Sequence, residues 1–220
     1  MAKKPRPLGP NKGSLARNRA TCEPFTKFYI YAEGSVTEPE YIKSFYNSLC
    51  GKKKILLDSI KGGSGVPLSI VSECVKKKGE LRKSSKRNSY EKNFVLWAVF
   101  DVDIHPKIDE AINLANAHDI RCIISNPCIE VWGLMHKSMY ERPSTRHEAQ
   151  AELVKAMPGY HHEKSPIFPW EECKKSVVLA KNNSIASLRR RVDDGVAFPK
   201  GNPSTNFHEL LIELKGGEWE

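Results

Sequence analysis

The sequence predicts an α/β protein in which a parallel sheet is flanked by helices and followed by a C-terminal, mainly helical extension. Three observations carry this prediction. From Phe25 to about Ser138, short apolar runs alternate with amphipathic stretches in the order β-α-β-α-β-α-β-α, the pattern of strands joined by helical crossovers. The run Phe94–Phe100 is apolar at every position, as in a strand covered on both faces. After Met139 the strand texture stops, and the apolar residues recur with helical spacing.

Taken in order, Phe25–Ala32 is a β-rich first strand. Thr37 as N-cap and Glu40 three residues later predict a capping box, opening a helix with Tyr41, Ile42, Phe45, Tyr46 and Leu49 on one face. Lys54–Ile60 reads as the second strand. Gly62-Gly63-Ser64-Gly65 then turns into a helix with Pro67 near its start and Leu68, Val71, Cys74 and Val75 on one side. Ser84, Ser85, Asn88 and Ser89 suggest a loop before the third strand, Phe94–Phe100. A third helix runs from Pro106 with Ile108, Ala111, Ile112 and Ala115 in register, Ile120–Ile124 is a fourth strand, and Ile129–Met135 is apolar enough for a buried helix. In the extension, His147–Met157 and Cys173–Val192 read as helices. The second is expected to turn Ile185, Leu188 and Val192 inward and Arg189, Arg190 and Arg191 partly outward. Pro158, Pro166 and Pro169 interrupt the chain between them, and Asn206–Leu214 gives a last short helix. The expected organisation is a disordered basic arm over 1–23, an α/β domain over 24–138, and an extension over 139–220 packed on it.

The net charge of +9 over 220 residues is concentrated in two blocks. Residues 1–20 carry six basic side chains and no acid, and residues 76–92 carry eight against Glu80 and Glu91, so the rest of the chain is slightly acidic. Such blocks suit nucleic-acid phosphates and make binding salt-dependent, although a solvated tail and a solvated helix end would look the same. The six cysteines form no C-x-x-C pair, which argues against structural zinc and for reduced thiols, with Cys74 and Cys122 in apolar patterns. No apolar run is long enough for a membrane span, and no apolar segment follows the basic N-terminus as in a secretory signal. The expected location is the cytoplasm.

Ligands in open α/β sheets collect at the carboxyl ends of the strands. Glu33-Gly34 lies just past the first strand, Asp101-Val102-Asp103 past the third, and Ser125 to Glu130 past the fourth. If strands one and three are neighbours, these acids share a cleft. An all-oxygen carboxylate set suits Mg²⁺ or Mn²⁺, with Asp101 and Asp103 as ligands and Glu33 as a further ligand or a proton-transfer group. Each piece has a plainer reading: a lone D-x-D is often a loop or cap, and Glu130 could simply cap its helix. Lys61 beside the glycine-rich turn, His105, Lys181, Arg189 and Arg190 are weaker candidates for contacting substrate. His136 is expected to be a satisfied core histidine, and His161-His162 lies among loop signals.

The combination resembles a family. Glu-Gly after an apolar first strand and Asp-x-Asp after a later one is similar to the Toprim domain of primases, topoisomerases and OLD-type nucleases. More narrowly, the RloB-like proteins are resembled by Ala32-Glu33-Gly34, Thr37-Glu38-Pro39 with Tyr41, and Phe100-Asp101-Val102-Asp103. Ser125-Asn126-Pro127-Cys128-Ile129-Glu130-Val131-Trp132 and Asn202-Pro203-Ser204-Thr205 extend that likeness over about Phe25–Leu214. The resemblance implies a Toprim (Rossmann-like) fold and a Mg²⁺- or Mn²⁺-dependent nuclease effector of bacterial antiviral defence. Its substrate would be RNA, including tRNA, or DNA, and its partner an ABC-type ATPase sensor encoded alongside. By motif, Glu33, Asp101 and Asp103 are the Toprim acids, with Glu130 as a neighbour. A non-catalytic module binding nucleic acid or an ATPase, and more weakly a nucleotidyl transferase or primase-like enzyme, remain alternatives. Oligomeric state stays open, a homodimer included.

Overall fold

A computed structural model describes residues 25–50, 55–63, 65–86, 93–103 and 105–217. The predicted arm over 1–23, and the part of the second basic block beyond residue 86, lie outside the described residues.

The chain forms β1 (Thr26–Ala32), α1 (Thr37–Ser48), β2 (Ile55–Lys61), α2 (Pro67–Ser85), β3 (Phe94–Asp101), α3 (Ile108–Ala117) and β4 (Arg121–Asn126). It continues with α4 (Glu130–Met135), α5 (Arg146–Ala156), α6 (Trp170–Cys173), α7 (Val177–Asp193), β5 (Ser204–Thr205) and α8 (Phe207–Lys215). The strands make one sheet in the order β2-β1-β3-β4-β5, parallel except for the antiparallel β5. The expected adjacency of the first and third strands therefore holds. In the register, Ala32 lies opposite Val99 and Asp101 opposite Ser125.

Alternation along the strands divides the core in two. Phe28, Ile30, Ala32, Trp97, Val99 and Ile123 face α1, α4, α5, α7 and α8. Tyr29, Tyr31, Leu96, Ala98, Phe100 and Ile124 face α2 and α3. Both faces of β3 are thus covered, which is why its sequence is apolar throughout.

The structure corrects three expectations. The capping box at Thr37 does not form: Thr37 Oγ1 donates to the Pro166 carbonyl at 2.7 Å, and Glu40 turns to Lys43 instead. A capping box does form at Thr145 and Glu148, where α5 begins. α2 also continues through Ser84 and Ser85, where a loop was expected.

The third correction concerns α7. Ile185 and Leu188 are only half-buried and Val192 is 67% exposed, whereas the buried face carries Val177, Ala180, Lys181, Asn183, Ser184 and Ser187. The cause is the backbone that this face covers. Asn183 Nδ2 donates to the Met135 carbonyl at 2.8 Å, Ser184 Oγ to Thr205 at 2.5 Å and Ser187 Oγ to Pro203 at 3.0 Å. Buried carbonyls demand donors, so hydroxyl and amide side chains take positions that periodicity alone would give to aliphatic ones.

The C-terminal part also completes the sheet. β5 pairs with the end of β4 through Ser125–Thr205 and Asn126–Ser204. Beyond it, the Asn206 amide donates to the Ile124 carbonyl at 3.4 Å, and the Asn206 side chain accepts from the Ile124 amide at 2.8 Å and donates to the Cys122 carbonyl at 3.0 Å, carrying the edge pairing past β5.

The glycine-rich turn after β2 is explained by close packing. A Cβ on Gly62 would stand 2.5 Å from the Gly34 carbonyl oxygen and 2.8 Å from the Ser35 Cα, both backbone atoms with no rotamer to yield. Gly62→Ala is therefore expected to destabilise the protein by about 1–3 kcal/mol. Thermal unfolding should show a fall of several degrees, whereas Gly79→Ala, where an added Cβ meets nothing within 4 Å, should not lower the midpoint.

Candidate active site

The register between β1 and β3 builds the site. The Glu33 amide donates to the Val99 carbonyl at 2.9 Å, extending the ladder one residue past β1. That turns the Glu33 carboxylate onto the end of β3, where Oε2 accepts the Asp101 amide at 3.1 Å and Oε1 lies 3.2 Å from His105 Nε2. Asp101, the last residue of β3, is 4% exposed. Glu38 enters from the first turn of α1, 3% exposed, and accepts the Gly34 amide at 3.3 Å. Glu130 opens α4 at 2% exposure. It does not cap that helix through its side chain; Oε1 accepts from Tyr160 Oη at 2.6 Å and lies 3.2 Å from His162 Nδ1, while Oε2 is buried without a hydrogen-bond partner.

These carboxylates surround a cleft of about 310 Å³, lined also by Arg146, His162 and the Gly34–Thr37 turn. A Cβ on Gly34 would lie 2.2 Å from a Glu38 carboxylate oxygen, so a side chain there would push that carboxylate from its place. Burial, then the neighbouring Glu33 and Glu130, raise the Glu38 carboxyl to about 7 against the lowering pull of its backbone hydrogen bonds. Burial, then Glu38, Glu33 and Glu130, hold Asp101 well above the usual carboxylate range, with Arg146 opposing.

Asp103 takes a different direction. Its φ of +33° lies in the left-handed region, and its Oδ2 pairs with Arg146 Nη1 at 2.9 Å at the rim of the cleft. Of the weaker candidates, only His105 touches the acids. Lys61 pairs with Glu73 at 2.6 Å, Lys181 is buried on the inner face of α7, Arg189 is exposed on α7, and Arg190 pairs with Glu141. None of these four lines the cleft. His136 is a core histidine as expected, bonded to Tyr41 Oη and Ser176 Oγ at 2.9 Å each, and burial lowers it to about 3.

The chain matches the family model for the RloB-like protein over residues 28–214. It belongs to the RloB-like family. No curated protein and no solved structure matches it. Two RloB-like stretches separated by about 70 residues of sequence supply, through Ser125-Asn126 and Ser204-Thr205, the strand partners that join the C-terminal part to the sheet.

Sequence reasoning missed Glu38, Arg146 and Tyr160 and set His162 aside among loop signals. Glu38 sits inside the Thr37-Glu38-Pro39 stretch of the RloB-like resemblance, a signal that was available. Arg146, Tyr160 and His162 come from the extension, and nothing in their local pattern separates them from surface residues.

A divalent cation matches the donor set in kind: hard carboxylate oxygens crowded in a low-dielectric cleft, one of them a buried atom without a partner. As the side chains stand, no group of three or more His, Cys, Asp or Glu among the described residues is placed to hold a metal ion.

Without a cation the crowding has a pH signature. A folded-state carboxyl raised from 4.5 to about 7 binds more protons than in the unfolded chain, so its contribution to stability is lost as pH rises through that window. In metal-free buffer Glu38→Gln should therefore gain stability over the parent as pH climbs from 5 to 8, by up to about 3 kcal/mol. The glutamine carbonyl still accepts the Gly34 amide. Thermal unfolding of both proteins across this range checks it, and the difference between them cancels the opposite trend from His136, which gains stability with rising pH.

Proposed function

We propose that this RloB-like protein is a Mg²⁺- or Mn²⁺-dependent nuclease of Toprim type. It hydrolyses phosphodiester bonds of RNA, tRNA included, or of DNA, as a toxic effector in bacterial antiviral defence beside an ABC-type ATPase sensor. The observation that carries this reading is the meeting of Glu33 and Asp101 across the β1–β3 pair, with Glu38 and Glu130 beside them. Four carboxylates at the carboxyl edge of a parallel sheet are costly unless protonated or neutralised by a cation, and a substrate phosphate would approach them only in the presence of one.

In this reading Asp101, Glu33 and Glu130 hold the cation, which when bound polarises the scissile phosphate and activates water. Glu33 shares an oxygen with His105 Nε2 and so is placed either to ligate or to pass a proton to the imidazole. Tyr160 and His162 fix Glu130 from the side away from its unpartnered oxygen. Asp103 is engaged by Arg146. The exposed basic residues of α2, including Lys76, Arg82 and Lys83, offer a surface for the substrate backbone.

A second reading, a non-catalytic module binding nucleic acid or the ATPase, draws on the absence of a ready-made three-ligand group among the described residues. Two measurements separate them. Glu33→Gln and Asp101→Asn should each lower metal-dependent cleavage of cellular RNA or plasmid DNA by at least about 10²-fold and abolish toxicity on expression. Mg²⁺ or Mn²⁺ should raise the unfolding midpoint of the parent more than that of either variant. Salt-sensitive nucleic-acid binding without turnover, unchanged by metal, would establish the module instead.

A further inference from the structure

We propose that Arg146 is a phosphate-binding subsite of the cleft and that Asp103 is the residue that positions it, rather than a second cation ligand. The ligand class rests on the nuclease reading.

The two aspartates of Asp101-Val102-Asp103 diverge. Asp101 lines the cleft and Asp103 does not. The segment is pinned: the Val102 amide donates to the Ser125 carbonyl at 2.8 Å and the Asp103 amide to the Pro127 carbonyl at 3.1 Å. The positive φ at Asp103 is a conformation that aspartate tolerates better than most side chains but that costs free energy, and surrounding structure has to enforce it. Its consequence is to aim the carboxylate at Arg146.

Arg146 is equally well held from its own side. It is the first residue of α5, directly after Thr145, whose capping box with Glu148 fixes the start of the helix. Its guanidinium is about half-buried, and although burial opposes the charged form, Asp103 and Asp101 raise its pKa above the usual arginine value, so it is a permanent cation. Among the described residues its side chain donates one hydrogen bond, from Nη1 to Asp103. A guanidinium has five N–H donors in a planar fork, so donors remain beyond the Asp103 bond on a side chain that lines the cleft. No other arginine or lysine among the described residues lines the cleft. A clamped fork with free donors, facing a space bordered by acids, suits a tetrahedral oxyanion that arrives together with a cation; phosphate oxygens of a nucleic-acid backbone are that chemistry.

The test uses inorganic phosphate as probe, titrated into the full chain with Mg²⁺ present and read by thermal unfolding. Phosphate should stabilise the parent, and Arg146→Ala should weaken its apparent affinity about tenfold to a hundredfold. Arg146→Lys, which keeps charge without the fork and protects against a folding defect, should recover part of the response. Asp103→Asn should fall between Arg146→Lys and the parent. Arg142→Ala, a 68%-exposed arginine outside the cleft, should match the parent. In cleavage assays, added guanidinium should rescue Arg146→Ala and not Glu33→Gln, a result that loss of a purely structural ion pair would not produce. A parent without phosphate response, or one that Arg146→Ala and Arg146→Lys leave unaltered, overturns the subsite even where Glu33→Gln abolishes cleavage. A phosphate response that depends on Arg146 in a protein that cleaves nothing keeps the subsite and removes the nuclease reading.

Discussion

The parallel pairing of β1 with β3 is the constraint on which the rest depends. With Ala32 opposite Val99, the next amide of the chain still reaches the β3 ladder, and Glu33 emerges with its carboxylate over the Asp101 amide. Strand side chains alternate faces, so a slip of one residue would send every core residue of β1 to the wrong layer, and the hydrophobic cores on both faces forbid it. Core packing thereby fixes the position of a polar group that it never touches.

Around that fixed point the molecule carries an electrostatic load. Glu38 and Asp101 are buried next to other acids, and each is raised by burial first and by its neighbours second. The partial relief comes from later in the chain. Arg146 on α5 opposes the rise of Asp101, and Tyr160 and His162 in the following segment reach Glu130. The C-terminal half is thus not an appendage to a self-sufficient sheet: it supplies the fifth strand and, among the described residues, the one permanent cation that lines the cleft.

The first four strands, most helices and the meeting of Glu33 with Asp101 could be read from the sequence because they obey local rules: period two or continuous apolarity for strands, 3.6 for helices, and chemistry at strand ends. Three things could not. The face of α7 was misread because its burial is set by carbonyls of Met135, Pro203 and Thr205, and a distant backbone acceptor leaves no mark on helical periodicity. Thr37 and Glu40 have capping-box spacing, yet Pro166, more than a hundred residues away, takes the Thr37 hydroxyl. Arg146 could not be placed because a single arginine at a helix start looks like any surface cation until the fold brings Asp103 to it.

The edge of β4 has a consequence for intermolecular strand pairing during folding. β4 is apolar at Ile123 and Ile124, and its outer side is paired with a two-residue strand, the Asn206 amide and the Asn206 side chain, which mimics a peptide group. Until residues 204–206 dock, that side presents open amides and carbonyls that another chain's strand can pair with. The asparagine amide therefore acts as a late seal against intermolecular sheet extension, completed only near the C-terminus of the chain.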